Sequence, residues 1–292
     1  MDLTTLSSQF LIGLSRGMIF FIVSAGLTLI FGVLRITNFA HGSLYMLGAF
    51  VAYSVSTFFG QGQYGFWLAL LVAPITVMLI SLVIERGLLR FIYNRDHLTQ
   101  MLLTYSLVLI AGDLVKIIWG SEFKSMNIPK ILRGSLNLWG ASLPWYNAFL
   151  LLIGPIVAIG LWFFLSRTHL GKICRATATD REMVDILGIN STRVFALVFA
   201  IGGWLAGLGG TLIAPTTTVS MGMDANIIIY AFLIVVIGGL GNIWGALISS
   251  IIMGVGEAFG VLLIPDVAII LPYIIAGILL ILRPSGLLKS AW

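Results

Sequence analysis

Hydrophobic positions along this chain neither alternate nor break at every turn. They run on for about twenty residues at a time, at approximately 9–31, 41–59, 64–84, 98–119, 146–165, 192–214, 225–237, 243–263 and 267–282. Crossing ~30 Å of hydrocarbon takes about 20 helical residues. In lipid the backbone must satisfy its own hydrogen bonds, which only helices and closed barrels do, and a barrel strand would alternate apolar with polar positions. The pattern predicts an all-α, polytopic membrane protein with about eight to nine transmembrane helices, some of them broken, in one domain spanning residues 1–292.

Two runs are interrupted. "FGVLRITNFAHG" (Phe31 to Gly42) carries Arg35, Asn38, His41 and Gly42 inside apolar sequence. "VVIGGLGNIWGAL" (Val235 to Leu247) carries Gly238, Gly239, Gly241, Asn242 and Gly245, after a run of only roughly 20 Å. Glycine-interrupted segments in the two halves of a transporter point to a mid-membrane route. Non-helical backbone at that depth survives only where protein buries it or water reaches it. Asn38, His41, Gly42, Gly239, Gly241 and Asn242 are therefore candidate pathway residues, with close helix packing as the competing account. For "GGWLAGLGG" (Gly202 to Gly210) packing is preferred, because Gly203/Gly207 and Gly202/Ala206/Gly210 have the small-xxx-small spacing of tight helix contacts.

One stretch breaks the pattern in the opposite sense. "TDREMVDILGINSTR" (Thr179 to Arg193) reads as a short, water-loving helix between two apolar ones. Thr179 and Glu182 fit a capping box, Asp180 favours the first turn, Gly188 suits a left-handed end, and Asn190, Ser191 or Thr192 can cap the next span. Met183, Val184, Ile186 and Leu187 share one face; Arg181, Glu182 and Asp185 share the other. Two turns alone are marginal in water, so such a helix needs something to dock on. A membrane-surface helix would favour Lys and Arg, whereas this polar face is mixed in sign and suits a soluble partner.

Composition sharpens the class. The chain is 59% hydrophobic and 9% charged, with a mean hydropathy of +1.08, which excludes an ordinary soluble globule. One cysteine, Cys174, excludes an internal disulfide or a multi-cysteine metal cluster. The first run is too long for a cleavable signal and lacks a basic leader. The net charge of +5 sits in loops flanking the spans, which is a topology signal and not a nucleic-acid footprint. Arg86, Arg90 and Arg95 fall in 85–97; Arg167, Lys172, Arg175, Arg181 and Arg193 in 166–193; Arg283 and Lys289 in the tail. The positive-inside rule places these in the cytoplasm, the 120–145 segment outside and, with nine crossings, the N-terminus outside.

Few ionisable groups fall within the spans: Arg16, Asp113, Lys116 and Glu257, with His41 beside a break. Asp113 and Lys116 are three apart and read as a self-neutralising pair; Glu257 has no local partner. No GxxxxGK[ST] loop, zinc-binding spacing or recognisable serine triad is present, which argues against an enzyme and against ATP binding by this chain. An ion-gradient-driven secondary transporter would want more membrane carboxylates; a scaffold subunit with no route of its own is the plainest alternative.

Three segments carry a resemblance. "GLTLIFGVLRITNFAHGSLYMLGAF" (Gly26 to Phe50), "GKICRATATDREMVDILGINSTRVFALVFAIGGWLAGLGG" (Gly171 to Gly210) and "VIGGLGNIWGALI" (Val236 to Ile248) resemble signatures of the LivH-type permease of branched-chain amino acid ABC importers. The resemblance implies a subunit of the bacterial inner membrane that needs no cofactor of its own. It would pair with a homologous, LivM-like permease, two ATP-binding subunits and a periplasmic solute-binding protein. It also implies that the 166–192 loop is a coupling loop, with Arg175, Thr179, Arg181, Glu182, Asp185 and Gly188 facing the ATPase. The solute implied is a branched-chain or other neutral amino acid, an amide or urea.

Overall fold

The computed structural model of the protein describes residues 3–138, 141–268, 270–284 and 286–288; Lys289, expected in a basic tail, lies outside them. In chain order come α1 (Leu3–Leu34), α2 (Ala40–Phe58), α3 (Gln63–Gly87), α4 (His97–Trp119), α5 (Trp145–Arg167), α6 (His169–Thr179), α7 (Arg181–Ile186), α8 (Ser191–Ile213), α9 (Met223–Gly238), α10 (Ile243–Leu263) and α11 (Leu271–Leu282). Six of these, α1, α3, α4, α5, α8 and α10, are long and apolar enough to cross a membrane. Helices α2, α9 and α11 have 19, 16 and 12 residues, and every predicted apolar run contains a helix.

Helices α1 and α8 form the centre. The most apolar windows of α1 and α8 are 89% and 83% buried, against 28% for α3 and 22% for α4, which turn Leu79, Val83, Leu109 and Ile117 outward. Apolar side chains gain little by leaving lipid for one another, so the bundle is held by close van der Waals fit. Glycine supplies the fit at the central seams. A Cβ on Gly17 of α1 would stand 2.8 Å from the Ser250 carbonyl of α10, and one on Gly48 of α2 would stand 2.6 Å from the Gly207 carbonyl of α8. The packing account of "GGWLAGLGG" is therefore the correct one.

Several boundaries differ from the sequence reading. The first helix extends to Leu3 and Leu34, and α11 begins at Leu271, behind a short 3-10 turn at Pro265–Val267. The 120–145 segment contains a hairpin of β1 (Ser135–Leu138) and β2 (Ala141–Pro144), pairing Ser135 with Pro144. The charged 166–193 stretch is not simply a loop around one short helix. Thr168 accepts the Gly171 N–H at 3.0 Å and starts α6, whose buried Gly171, Cys174, Thr177 and Ala178 recur at helical spacing. The high charge of its other face hid that period.

The connections separate to two ends. Arg35 donates to the Ala178 carbonyl at 3.0 Å and Arg181 to Asn94 at 3.0 Å, so the α1–α2, α3–α4 and α5–α8 connections share one end, rich in arginine. At the other, Lys124 and Val219 exchange backbone hydrogen bonds of 2.9 Å, joining the 120–144 segment to the α8–α9 loop.

Candidate functional site

At the arginine-rich end, α7 is capped one residue later than expected. Asp180, not Thr179, stands at the N-cap and accepts the Met183 N–H at 3.0 Å. Thr179 is the last residue of α6, where its hydroxyl donates to the Arg175 carbonyl at 3.0 Å, and Glu182 does not close back on it. Asp outranks Thr as a cap, and α6 claims Thr179 first. Gly188 ends the turn at φ +82°, as expected. Asn190, of the three candidates, caps α8 through the Arg193 N–H at 3.2 Å.

The expected apolar face of α7 divides. Val184 is buried, but Met183, Ile186 and Leu187 are 52%, 78% and 71% exposed. Arg181 fixes the helix from behind: it donates to Ser191 Oγ at 3.1 Å, pairs with Asp185 at 3.8 Å and lies 5.0 Å over the Phe195 ring. Ser191 gives its N–H and hydroxyl to Asp185, each at 2.9 Å, and these bonds hold the Asp185 carboxyl below the usual carboxylate range. Nearby, Tyr93 packs on Phe195 and donates to Glu85; burial, then that carboxylate, raises its phenol. The result is a braced helix presenting three loose apolar side chains.

The two sequence breaks do not meet. Asn38 and His41 are fully buried; the His41 ring donates from Nε2 to the Val23 carbonyl at 2.9 Å, and a Cβ on Gly42 would press on the Asp224 carbonyl at the start of α9. Gly239 and Gly241, at φ +98° and +80°, make the turn after the far end of α9, and Asn242 caps α10 through the Gly245 N–H at 3.0 Å. The chain's tail clasps this turn: Leu287 N–H donates to Ile237 at 2.7 Å and Leu288 N–H to Gly238 at 3.3 Å. Arg175 shares a cavity of about 240 Å³ with Gly241 and Asn242. The charged 166–193 stretch and the second break, singled out separately, thus lie together.

A larger feature was not legible as one. At the end opposite the arginines, a cavity of about 410 Å³ opens among α1, α2, α9, α10 and the α8–α9 loop. Arg16 and Glu257, far apart in sequence, form an ion pair of 3.3 Å on its wall, which gives Glu257 from another span the partner it lacks locally. The second Glu257 oxygen has no partner among the described residues. Thr217, Thr218, Ser220 and Asn226 add polar groups, while Phe20, stacked on Tyr230 at 5.0 Å, Tyr45 and Met221 add apolar surface. His41 lies one turn before Tyr45. The sequence signal was two opposite charges in separate spans. By contrast, Asp113 and Lys116 do not pair, although both are exposed on α4.

A family model described as the permease component of the branched-chain amino acid transport system matches residues 9–283. The chain belongs to this family. It is similar to the high-affinity branched-chain amino acid transport permease BraD of Pseudomonas aeruginosa, 29% identical over 96% of this chain and 94% of the relative. It is similar to LivH of Escherichia coli K12, a permease of the same description, at 27% over 94% and 93%. A probable LivH of Methanocaldococcus jannaschii is 28% identical over 81% of this chain and 75% of its own. No solved structure matches. The permease is a multi-pass protein of the bacterial inner membrane, and its relatives are transport proteins rather than enzymes.

Proposed function

We propose that this permease is one of two membrane subunits of an ABC importer. With a homologous, LivM-like permease it forms the route for branched-chain or other neutral amino acids. Two separate subunits bind and hydrolyse ATP at the cytoplasmic, arginine-rich end; a periplasmic binding protein delivers solute at the other. The chain itself catalyses no reaction. The observation that carries this reading is α7, braced by Arg181 and Asp180 yet exposing Met183, Ile186 and Leu187. An apolar triplet held out in this way is a docking face for a soluble protein.

The link inward is Arg35. Its guanidinium holds the last turn of α6, and its backbone sits at φ +56°, a conformation that costs a non-glycine residue about 1 kcal/mol or more. A push on α7 and α6 thus reaches the α1–α2 break directly. Asn38, His41 and Gly42 transmit that movement to the cavity wall at Tyr45, while Gly239, Gly241 and Asn242 take up movement beside Arg175. The test is Ile186→Asp with Leu187→Asp. Co-purification of the ATPase subunits should fall about tenfold or more, and leucine uptake with it, while the permease still inserts. Undiminished ATPase capture and uptake would remove α7 as the docking face.

A further inference from the structure

Resting on that reading, we propose that the Arg16–Glu257 pair is a solute-binding site for a zwitterion, with Arg16 taking the α-carboxylate and Glu257 the α-ammonium. Charged side chains within membrane spans are costly and are functional candidates by default. This one stands on the wall of a cavity of about 410 Å³ rather than in sealed packing, and the Arg16 side chain is 41% exposed. Its two charges match the two of an amino acid in sign. A zwitterion that inserts between them exchanges one ion pair for two, so neither protein charge is left bare.

The remaining walls fit the rest of the molecule. Glu257 has a buried oxygen with no partner among the described residues, which an ammonium N–H satisfies once the pair opens. Arg16 presents a fork of donors suited to a carboxylate. Phe20, Ile227 and Met221 offer apolar contact to a side chain. Binding is weak by construction, because the pair recloses when the solute leaves, and a site that held solute tightly would stall transport. A neutral amide or urea has no formal charges to divide the pair and gains none of this.

The experiment uses the full chain assembled with its partners in lipid nanodiscs, with Cys174→Ala and a probe cysteine at Thr218 on the cavity rim. Maleimide labelling is timed with millimolar leucine, with leucinamide, which keeps the ammonium alone, or with 4-methylpentanoate, which keeps the carboxylate alone. Leucine should slow labelling several-fold and the two half-analogues should not; Arg16→Gln and Glu257→Gln should each abolish the leucine effect. Equal protection by all three compounds, no protection by leucine, or protection that survives both substitutions overturns the site. Should either single variant fail to assemble, the exchange Arg16→Glu with Glu257→Arg keeps the pair. A merely structural pair predicts wild-type leucine KM there; the proposal predicts a raised KM with normal assembly. Uptake of labelled leucine by cells is measured alongside. Uptake without protection sinks the site and leaves the importer standing, whereas protection without uptake of any neutral amino acid keeps the site and sinks the importer.

Discussion

Asp180 and Thr179 differ by one position and by the helix each serves. Asp180→Ala removes the oxygen that receives the Met183 N–H, a loss of ~1 kcal/mol for a capped helix. Thr179→Ala removes only a bond back to α6 and should be nearly silent. Faster hydrogen exchange at Met183 in the first variant and not in the second checks the assignment. Gly188→Val places a β-branched residue at φ +82° with open space around it, so strain acts alone; ATPase stimulation by loaded binding protein should fall while insertion stays normal. Asp185 adds a pH dependence of known sign. Its folded pKa lies below the unfolded one, so its hold on Ser191 is full at neutral pH and lost as pH falls through the folded value. Exchange at the Ser191 amide, corrected for intrinsic rate, should rise in acid, and Asp185→Asn should flatten that dependence.

Between elements, the decisive contacts are the Arg35 bond to α6 and the glycine seams. Arg35→Ala should leave the ATPase bound and hydrolysing but cut uptake, because docking and the break are then disconnected; uptake at the wild-type rate would show that movement travels another way. The range of each interaction decides how much of this was legible in the sequence. Continuous apolar runs fix helices because lipid leaves the backbone no alternative, and Gly188 declares its turn because few other residues accept a positive φ. The cap slipped by one because Thr179 and Asp180 are both good caps, and only α6, hidden by its own charged face, settles which is free. Arg16 and Glu257 could be flagged singly as charges in lipid, but their pairing depends on how α1 and α10 cross, which no local spacing encodes. Asn38 was rightly marked as part of a break, whereas His41 stands in the first turn of α2, where its burial depends on α1 lying against it.

For the whole molecule, the separation of arginine between the two ends makes a topology prediction. Cys174 is buried and its thiol is pushed up to about 11, so it reacts little, and Cys174→Ala removes it altogether. Cysteines placed near Arg90 and Arg181 should label only from the cytoplasm, and one near Thr217 from outside; the reverse pattern would invert the molecule.

The pair of Arg16 with Glu257 has a further consequence, for how the chain is made. Arg16 enters the bilayer with the first helix, and its counter-charge arrives with the tenth. At roughly 5–20 residues per second, on the order of ten to fifty seconds pass with the guanidinium unmatched in the nascent protein. Until α10 emerges, the long Arg16 side chain reaches toward water or headgroups, as basic side chains in lipid do, and a chain that stops before Glu257 keeps an unmatched charge in its first helix.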